Sequence, residues 1–515
     1  MKRSLLILGA AGIAAATMAQ KSERPNVILL VADDLGWGDL SCYGATRVST
    51  PTVDSIAASG TRFVDAHACA STSTPSRYSL LTGEYPFRKK GTDVAAGNAG
   101  MIISPEQYTV ADAFKSAGYK TGAIGKWHLG LGSKTAMQDW NGTLDQDLSD
   151  IGFDYHYIMA ATADRVPCVF IENGKVSNYD PTAPIYVNYF KNYPGEPTGA
   201  ENPELLTKLR HSHGHNMSIV NGIGRIGYMK GGGKALWQDE NIADSIAARA
   251  VDFIRDNKDN PFFLYLCTND VHVPRYPHER FRGKSPMGLR GEAILQFDWT
   301  VKQVAAALRE YNLSDNTVII ITSDNGPILD DGYADRAVEL VGDHKPGGPF
   351  RGAKYSSFEA GSIVPFIVSW PGKVPAGKVS KALVSQIDNM ATLAALAGVD
   401  LPEGAGADSR DHLKTWLGQS KASRPFAVKY AANHNMVVRS GKWKYIQSNN
   451  GGPMITWGPQ VETGNLKTPQ LYDMKRAVEE KDNVAAKHPK QVKAFQELIQ
   501  NVKGTKGYST DKPIK

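Results

Sequence analysis

The sequence predicts an α/β protein: a large, mostly parallel sheet sandwiched by helices, followed by a smaller C-terminal α+β part. Three observations carry this. Asn26 to Ala32 is an unbroken apolar run ending in acids, the pattern of a strand buried on both faces. Amphipathic helices and short apolar strands then alternate repeatedly, which implies parallel strands joined by crossover helices. Past about residue 400 the rhythm changes to short alternating strands and a closing helix.

The elements follow in order. Thr50, Pro51 and Gly60 frame a short helix, with a capping hydroxyl, a proline in the first turn and a glycine stop. Val110 to Ala117 repeats the pattern, ends at Gly118 and leads into a strand over Tyr119 to Ile124. Ile242, Ile246, Phe253 and Ile254 form a helical stripe before the strand Phe262 to Leu266. Ile294, Phe297, Val301, Val304 and Leu308 form another before Val318 to Ile321. Residues 150–235, rich in Gly, Pro, His and Tyr, read as loops laid over this scaffold. In the C-terminal part, Ala427 to Tyr430, Met436 to Arg439 and Lys442 to Ile446 read as strands and Gln491 to Val502 as the last helix. The organisation expected is therefore a leader over 1–19, a main α/β domain over 20–400 with the 150–235 insertion, and a C-terminal subdomain over 401–515.

Composition narrows the class. With 515 residues, 42% hydrophobic and 21% charged, the chain is neither disordered nor a disulfide-built mini-scaffold. Its +6 net charge contains no basic block, which argues against a nucleic-acid partner. Lys2 and Arg3, the apolar run Leu5 to Ala16 and the small residues Thr17-Met18-Ala19 have the anatomy of a secretory signal. That run is shorter than the roughly 20 residues a spanning helix needs, and no later stretch reaches that length. No cysteine follows the cleavage site to carry a lipid, so a soluble periplasmic or secreted protein is expected. Cys42, Cys69, Cys168 and Cys267 are widely spaced, form no metal motif and read as small buried hydrophobes; their pairing is open.

Two strand ends carry chemistry. Asp33-Asp34 follows the first strand and Asp324-Asn325 follows Val318 to Ile321. In open parallel sheets, residues just past the strand C-termini line the site. Carboxylates with an amide oxygen, and no paired histidines or cysteines, suit a hard cation such as Ca²⁺ or Mg²⁺ rather than zinc. Ordinary helix capping is the competing explanation for either pair alone.

The segment Ser73-Thr74-Pro75-Ser76-Arg77, closed by Leu81-Thr82-Gly83, resembles the serine form of the type I sulfatase signature. Other motifs follow in that family's order: Gly36-Trp37-Gly38-Asp39, Gly125-Lys126-Trp127-His128-Leu129-Gly130, Val271-His272-Val273-Pro274, Ser323-Asp324-Asn325-Gly326 and Arg351-Gly352-Ala353-Lys354. The resemblance spans about residues 24 to 400. It implies the alkaline-phosphatase-like fold, a formylglycine made from Ser73 by a radical-type maturating enzyme, and one Ca²⁺ held by Asp33, Asp34, Ser73, Asp324 and Asn325. A hydrated aldehyde carries two hydroxyls, so one can attack sulfur and deprotonation of the other can expel sulfate. The resemblance assigns Arg77, Lys126 and Lys354 to the sulfate oxygens, His272 to protonation of the leaving alcohol and His128 to proton removal from the diol. Two stretches depart from the family pattern. Glu359-Ala360-Gly361-Ser362-Ile363-Val364-Pro365 replaces Glu-Gly-Gly-x-Arg-Val-Pro, and Ala477-Val478-Glu479-Glu480 replaces Asp-Pro-x-Glu.

The substrate beyond the sulfate is less constrained. Asp164, Arg165, His211, His213, His215, Asn433 and His434 are the polar candidates from the loop-rich middle and the C-terminal part. The resemblance points to a sulfated glycan fragment, cut by an exo-acting O-sulfatase, with galactose or N-acetylgalactosamine sulfates foremost. A phosphonate or phosphodiester hydrolase of the same superfamily, and an unmodified glycan-binding relative, stay open from sequence.

Overall fold

The computed structural model describes residues 24–504 and 512–514, so the leader expected over 1–19 lies outside the described residues. The chain forms strands β1 (Asn26–Ala32), β2 (Thr61–His67), β3 (Lys120–Lys126), β4 (Tyr155–Met159), β5 (Phe170–Glu172) and β6 (Lys175–Val176). Short strands β7 (Tyr186–Asn188), β8 (Ile219–Val220), β9 (Ile223–Gly224) and β10 (Tyr228–Lys230) decorate the loop-rich middle. They are followed by β11 (Phe262–Cys267), β12 (Thr317–Ser323), β13 (Phe366–Ser369) and β14 (Lys378–Ser385).

Ten of these strands make one sheet, ordered β14-β2-β13-β12-β1-β11-β3-β4-β5-β6. Its centre, β12-β1-β11-β3-β4, is parallel throughout. The flanks are mixed: β13 runs antiparallel to both β12 and β2, and β5 and β6 turn back as a meander. Every residue of β1 and β11 is buried, as a continuous apolar run requires when helices cover both faces.

The helices are α1 (Pro51–Ala58), α2 (Ser73–Thr82), α3 (Val110–Ser116), α4 (Ile242–Asp256) and α5 (Gly288–Glu310), then α6 (Ala337–Leu340), α7 (Asn389–Ala397), α8 (Leu413–Trp416) and α9 (Pro489–Gly504). Helix α4 buries Ile242, Ile246, Phe253 and Ile254, the stripe read from sequence. Thr109 begins α3 with a capping box, its hydroxyl accepting from the Asp112 amide. Thr50 also precedes its helix, but its hydroxyl bonds to Asp54 and Ser41 rather than to a helix amide.

A second, antiparallel sheet, β15 (Ala427–Ala431), β16 (Asn435–Ser440), β17 (Trp443–Ile446) and β18 (Gln470–Asp473), packs with α9 over a smaller core. A buried ion network joins the two sheets. Glu359 meets Lys429 at 2.8 Å, Arg439 at 2.9 Å and Lys444 at 3.0 Å, and Lys444 also meets Glu480 at 2.6 Å. Asp65, His67 and Glu359 sit close enough to bind a cation, but protein cations already neutralise them. Glu359 and Glu480 lie in the two stretches that depart from the family pattern, and both are fully buried. All four cysteines are free; burial pushes the Cys69 thiol up to about 12. Among the described residues no helix is long and apolar enough to cross a membrane.

Candidate active site

Because the central strands are parallel, their C-terminal ends open on one side of the sheet and deliver side chains to one place. β1 ends in Asp33 and Asp34, β12 in Asp324 and Asn325, and β3 in Lys126 with His128 two residues on. The turn after β11 brings His272. Helix α2 meets these ends with its first residue, Ser73. All ten residues of α2 are buried although STPSRYSLLT has no apolar stripe. Arg77, one turn on, shares the Ser73 face.

Ser73 Oγ donates to Asp324 Oδ2 at 2.6 Å and accepts from Lys126 Nζ at 2.7 Å. It lies 3.4 Å from both Asp33 Oδ1 and the Asn325 amide oxygen. Lys126 also binds Asp33 Oδ2 at 2.6 Å. Arg77 grips Asp324 Oδ2 with Nε and Nη2, each at 2.9 Å. Lys354 bridges Asp34 at 2.9 Å and Asp331 at 2.8 Å. The Asn325 amide donates to Asp34 at 2.7 Å, which turns its oxygen toward Ser73. Asp34 and His128 adopt left-handed backbone at φ 56° and 61°, an uncommon conformation that local structure must hold in place.

The electrostatics follow from burial against pairing. Burial raises the Asp33 carboxyl, more than Lys126 lowers it, and Asp324 and Asp34 add to the rise. Burial acts the same way on Asp324, but Arg77 and Lys126 outweigh it and hold that group below the usual carboxylate range. Burial lowers Lys126, whereas for Lys354 the attraction of Asp331 and Asp34 exceeds the burial effect and raises it. His128 and His272 are both pushed well below the ordinary imidazole range, by burial first and then by Lys126 and Lys354 respectively.

The donor set fits a hard cation. Asp33, Asp34, Asp324 and Asn325 are completely buried and offer only oxygen, and ligand atoms of Asp33, Asp34 and His272 lie within 4.8 Å of one another. Three carboxylates this close repel each other, and a divalent ion among them would relieve that repulsion together with Lys126, Arg77 and Lys354.

Ser73, His128, His272 and Lys354 line a cavity of about 140 Å³. Asp164, Arg165 and His215 line its side, with His215 Nε2 3.0 Å from Asp164 Oδ2 and Arg165 3.0 Å from the same carboxylate. His211 and His213 lie outside the lining. His211 makes a bridge to Tyr333, and His213 packs its ring against Trp457 at 6.0 Å. His434 is exposed, pairs with Tyr430 and Asp93, and is not part of the lining. The structure adds Asp331, Tyr355 and Trp457 to the lining. Their signal in the sequence is faint: Asp331 lies seven residues past Asp324, Tyr355 directly follows Lys354, and Trp457 sits alone in a Gly- and Pro-rich loop.

Comparison with known proteins agrees with this geometry. The sulfatase family model matches residues 25–399. An N-acetylgalactosamine-6-O-sulfatase of Bacteroides thetaiotaomicron is 52% identical over 484 residues, covering 94% of each chain. Human arylsulfatase A is 30% identical over 96% of this chain and 90% of its own. A solved structure from work on glycosaminoglycan metabolism by Bacteroides thetaiotaomicron superposes with a TM-score of 0.92 at 51% identity, over 94% of this chain and all of the other. With the signature serine, its cationic partners and the oxygen-donor cage converging on one sheet edge, this chain belongs to the sulfatase family and is a sulfuric ester hydrolase.

Proposed function

We propose that the chain is an exo-acting glycan sulfatase that removes a 6-O-sulfate from N-acetylgalactosamine. The observation that carries the reading is the buried Ser73 hydroxyl, held between Lys126 and Asp324 where it faces a cavity lined by the polar groups of Asp164, Arg165 and His215. The choice of sugar is supported by the 52% identical relative of that name. Maturation of Ser73 by a radical-type enzyme and export to the periplasm or outside complete the reading.

Asp33, Asp34, Asp324 and Asn325 would hold the calcium ion, which supplies positive charge beside the sulfate oxygens. A hydrated formylglycine at position 73 supplies paired hydroxyls, so that release of sulfate needs no second nucleophile. The chain's own groups do the rest. Lys126 Nζ, 2.7 Å from Ser73 Oγ, stabilises negative charge on that oxygen, and Arg77 fixes Asp324 in place. The N-terminus of α2 adds its dipole to the field an anion meets. Lys354 and His272 face the cavity from the opposite loops. Hydrogen bonding sets the histidine tautomers. His128 Nε2 donates to the Ala95 carbonyl at 2.9 Å and leaves Nδ1 with no protein partner, suited to accepting a proton. His272 Nδ1 donates to the Val273 carbonyl at 2.6 Å, so Nε2 is the atom left to face the leaving oxygen; it protonates that oxygen only as the imidazolium, the form that the negative charge of a bound sulfate ester favours. Asp164, Arg165 and His215 supply hydrogen bonds for sugar hydroxyls.

The test is sulfate release by protein matured in the presence of the radical enzyme, with the aldehyde at position 73 verified by mass spectrometry. N-acetylgalactosamine 6-sulfate should be cleaved far faster than the 4-sulfate or N-acetylglucosamine 6-sulfate. No release from any sulfated hexosamine by aldehyde-bearing protein refutes the reading.

A further inference from the structure

The C-terminal part sends a hairpin across to the cavity. Met454 and Glu462 pair antiparallel, Ile455 N donates to the Val461 carbonyl at 2.8 Å, and Thr463 N donates to the Pro453 carbonyl at 2.9 Å. Its base is fixed to the loop that carries Lys354. Ser357 N donates to the Thr463 carbonyl at 2.7 Å, Ser356 Oγ to the Glu462 carbonyl at 2.6 Å, and Arg351 clamps the Glu462 carboxylate with two bonds of 2.8 Å. The tip is therefore held in register with the catalytic lysine.

That tip carries Trp457, which lines the cavity yet is 61% exposed. A solvated indole this large is unusual in a folded chain, and scattered exposure does not explain one set in the wall of a reaction pocket. It is also held in orientation. Its ring meets Tyr355 edge-on at 5.6 Å and His213 at 6.0 Å. Gly458 lets the backbone approach His213 so closely that a Cβ there would lie 2.1 Å from the imidazole. An aromatic face that shares the cavity wall with Lys354 matches a ligand with an anionic end and an apolar ring face.

We infer that Trp457 is a substrate-contact residue: the hairpin presents it as the platform on which the C–H face of the sulfated pyranose rests, while Lys354 on the adjoining loop binds the sulfate. His213 then acts through Trp457 as a positioning residue rather than by touching the sugar. This rests on the sugar-sulfate reading above and names which part of the C-terminal region makes that site selective for a pyranose.

Matured enzyme tests it with two readouts: kcat/KM for N-acetylgalactosamine 6-sulfate, and the inhibition constant of inorganic sulfate, which has no ring to stack. Trp457→Ala should lower kcat/KM about 10–100-fold, mainly through KM, while the sulfate inhibition constant moves less than about twofold. Trp457→Phe should recover much of the loss. Gly458→Ala, which forces the tip off His213, should reproduce the Trp457→Ala pattern with the indole still present. Unchanged kcat/KM in Trp457→Ala overturns the inference, and so does an equal loss of sulfate affinity, which would mark damage to the sulfate pocket. Wild-type enzyme inactive on every sulfated hexosamine would instead overturn the sugar reading itself.

Discussion

Asp39 offers a prediction whose size can be worked from the structure. Five residues past Asp34, it ties the end of β1 to its surroundings. Arg290 of α5 reaches it with two bonds of 2.8 and 2.6 Å, His344 lies at 2.8 Å, and the Gly36 amide donates at 2.7 Å. Asp39 is completely buried and Arg290 nearly so. Burial alone would raise the carboxyl, but Arg290 and His344 more than reverse it and hold it at about 2. A carboxyl lowered on folding contributes stability above its unfolded value near 3.8 and loses it as pH falls toward 2. A drop of about 1.8 units is worth about 2.4 kcal/mol at neutral pH and about 1.3 kcal/mol at pH 3. Asp39→Asn should cost more than this, about 3–5 kcal/mol at pH 7, because it strands the Arg290 guanidinium in the interior. The stranded cation is therefore the larger effect. Urea unfolding of wild type, Asp39→Asn and Asp39→Asn/Arg290→Met at pH 7, 5 and 3 checks both parts. The gap between wild type and Asp39→Asn should narrow by about 1 kcal/mol between pH 7 and 3, and the double variant should regain part of the loss. A gap under about 1 kcal/mol at pH 7, or one that does not vary with pH, refutes the reasoning.

Asp324→Ala should abolish turnover, since it removes a carboxylate from the oxygen cage and releases Arg77 and Ser73; partial recovery of sulfate release at high Ca²⁺ checks it. His272→Ala should slow a sulfated sugar about 10²–10⁴-fold while costing nitrophenyl sulfate much less, because a nitrophenolate leaves without an acid; kcat/KM on the two substrates decides, and equal losses remove His272 from the acid role. Gly125→Ala should destabilise the fold by several kcal/mol and abolish activity, because φ is +98° and the new Cβ would lie 1.8 Å from the Cys267 carbonyl, displacing the adjoining Lys126; thermal unfolding and sulfate release measure both.

The sequence by itself determined whatever is written in contiguous or periodic residues. β1 and α4 were legible because burial on two faces demands an unbroken apolar run and burial on one demands a 3.6-residue stripe. The groups around Ser73 were legible because the contiguous motifs that carry them, such as Ser73-Thr74-Pro75-Ser76-Arg77 and Gly125-Lys126-Trp127-His128, resemble the sulfatase pattern in its order. Tertiary structure decided what depends on neighbours far away in the chain. Helix α2 opens on the polar run Ser73 to Arg77 and only later offers Tyr78, Leu80 and Leu81 to the core, yet all of it is buried, because the charges meeting at its first turn satisfy Ser73 and Arg77 in place of water. The antiparallel flanks formed by β13, β5 and β6 depend on pairing that no local period encodes. Asp331 joins the site because Lys354, 23 residues on, folds back to it, and Trp457 because Glu462 meets Arg351 across 111 residues. His213 carries the same residue type as His215, but only His215 reaches Asp164, while the indole of Trp457 covers His213. Side-chain type is a local property, whereas which side chains share a cavity is set by the crossing of loops whose contacts the linear sequence does not record.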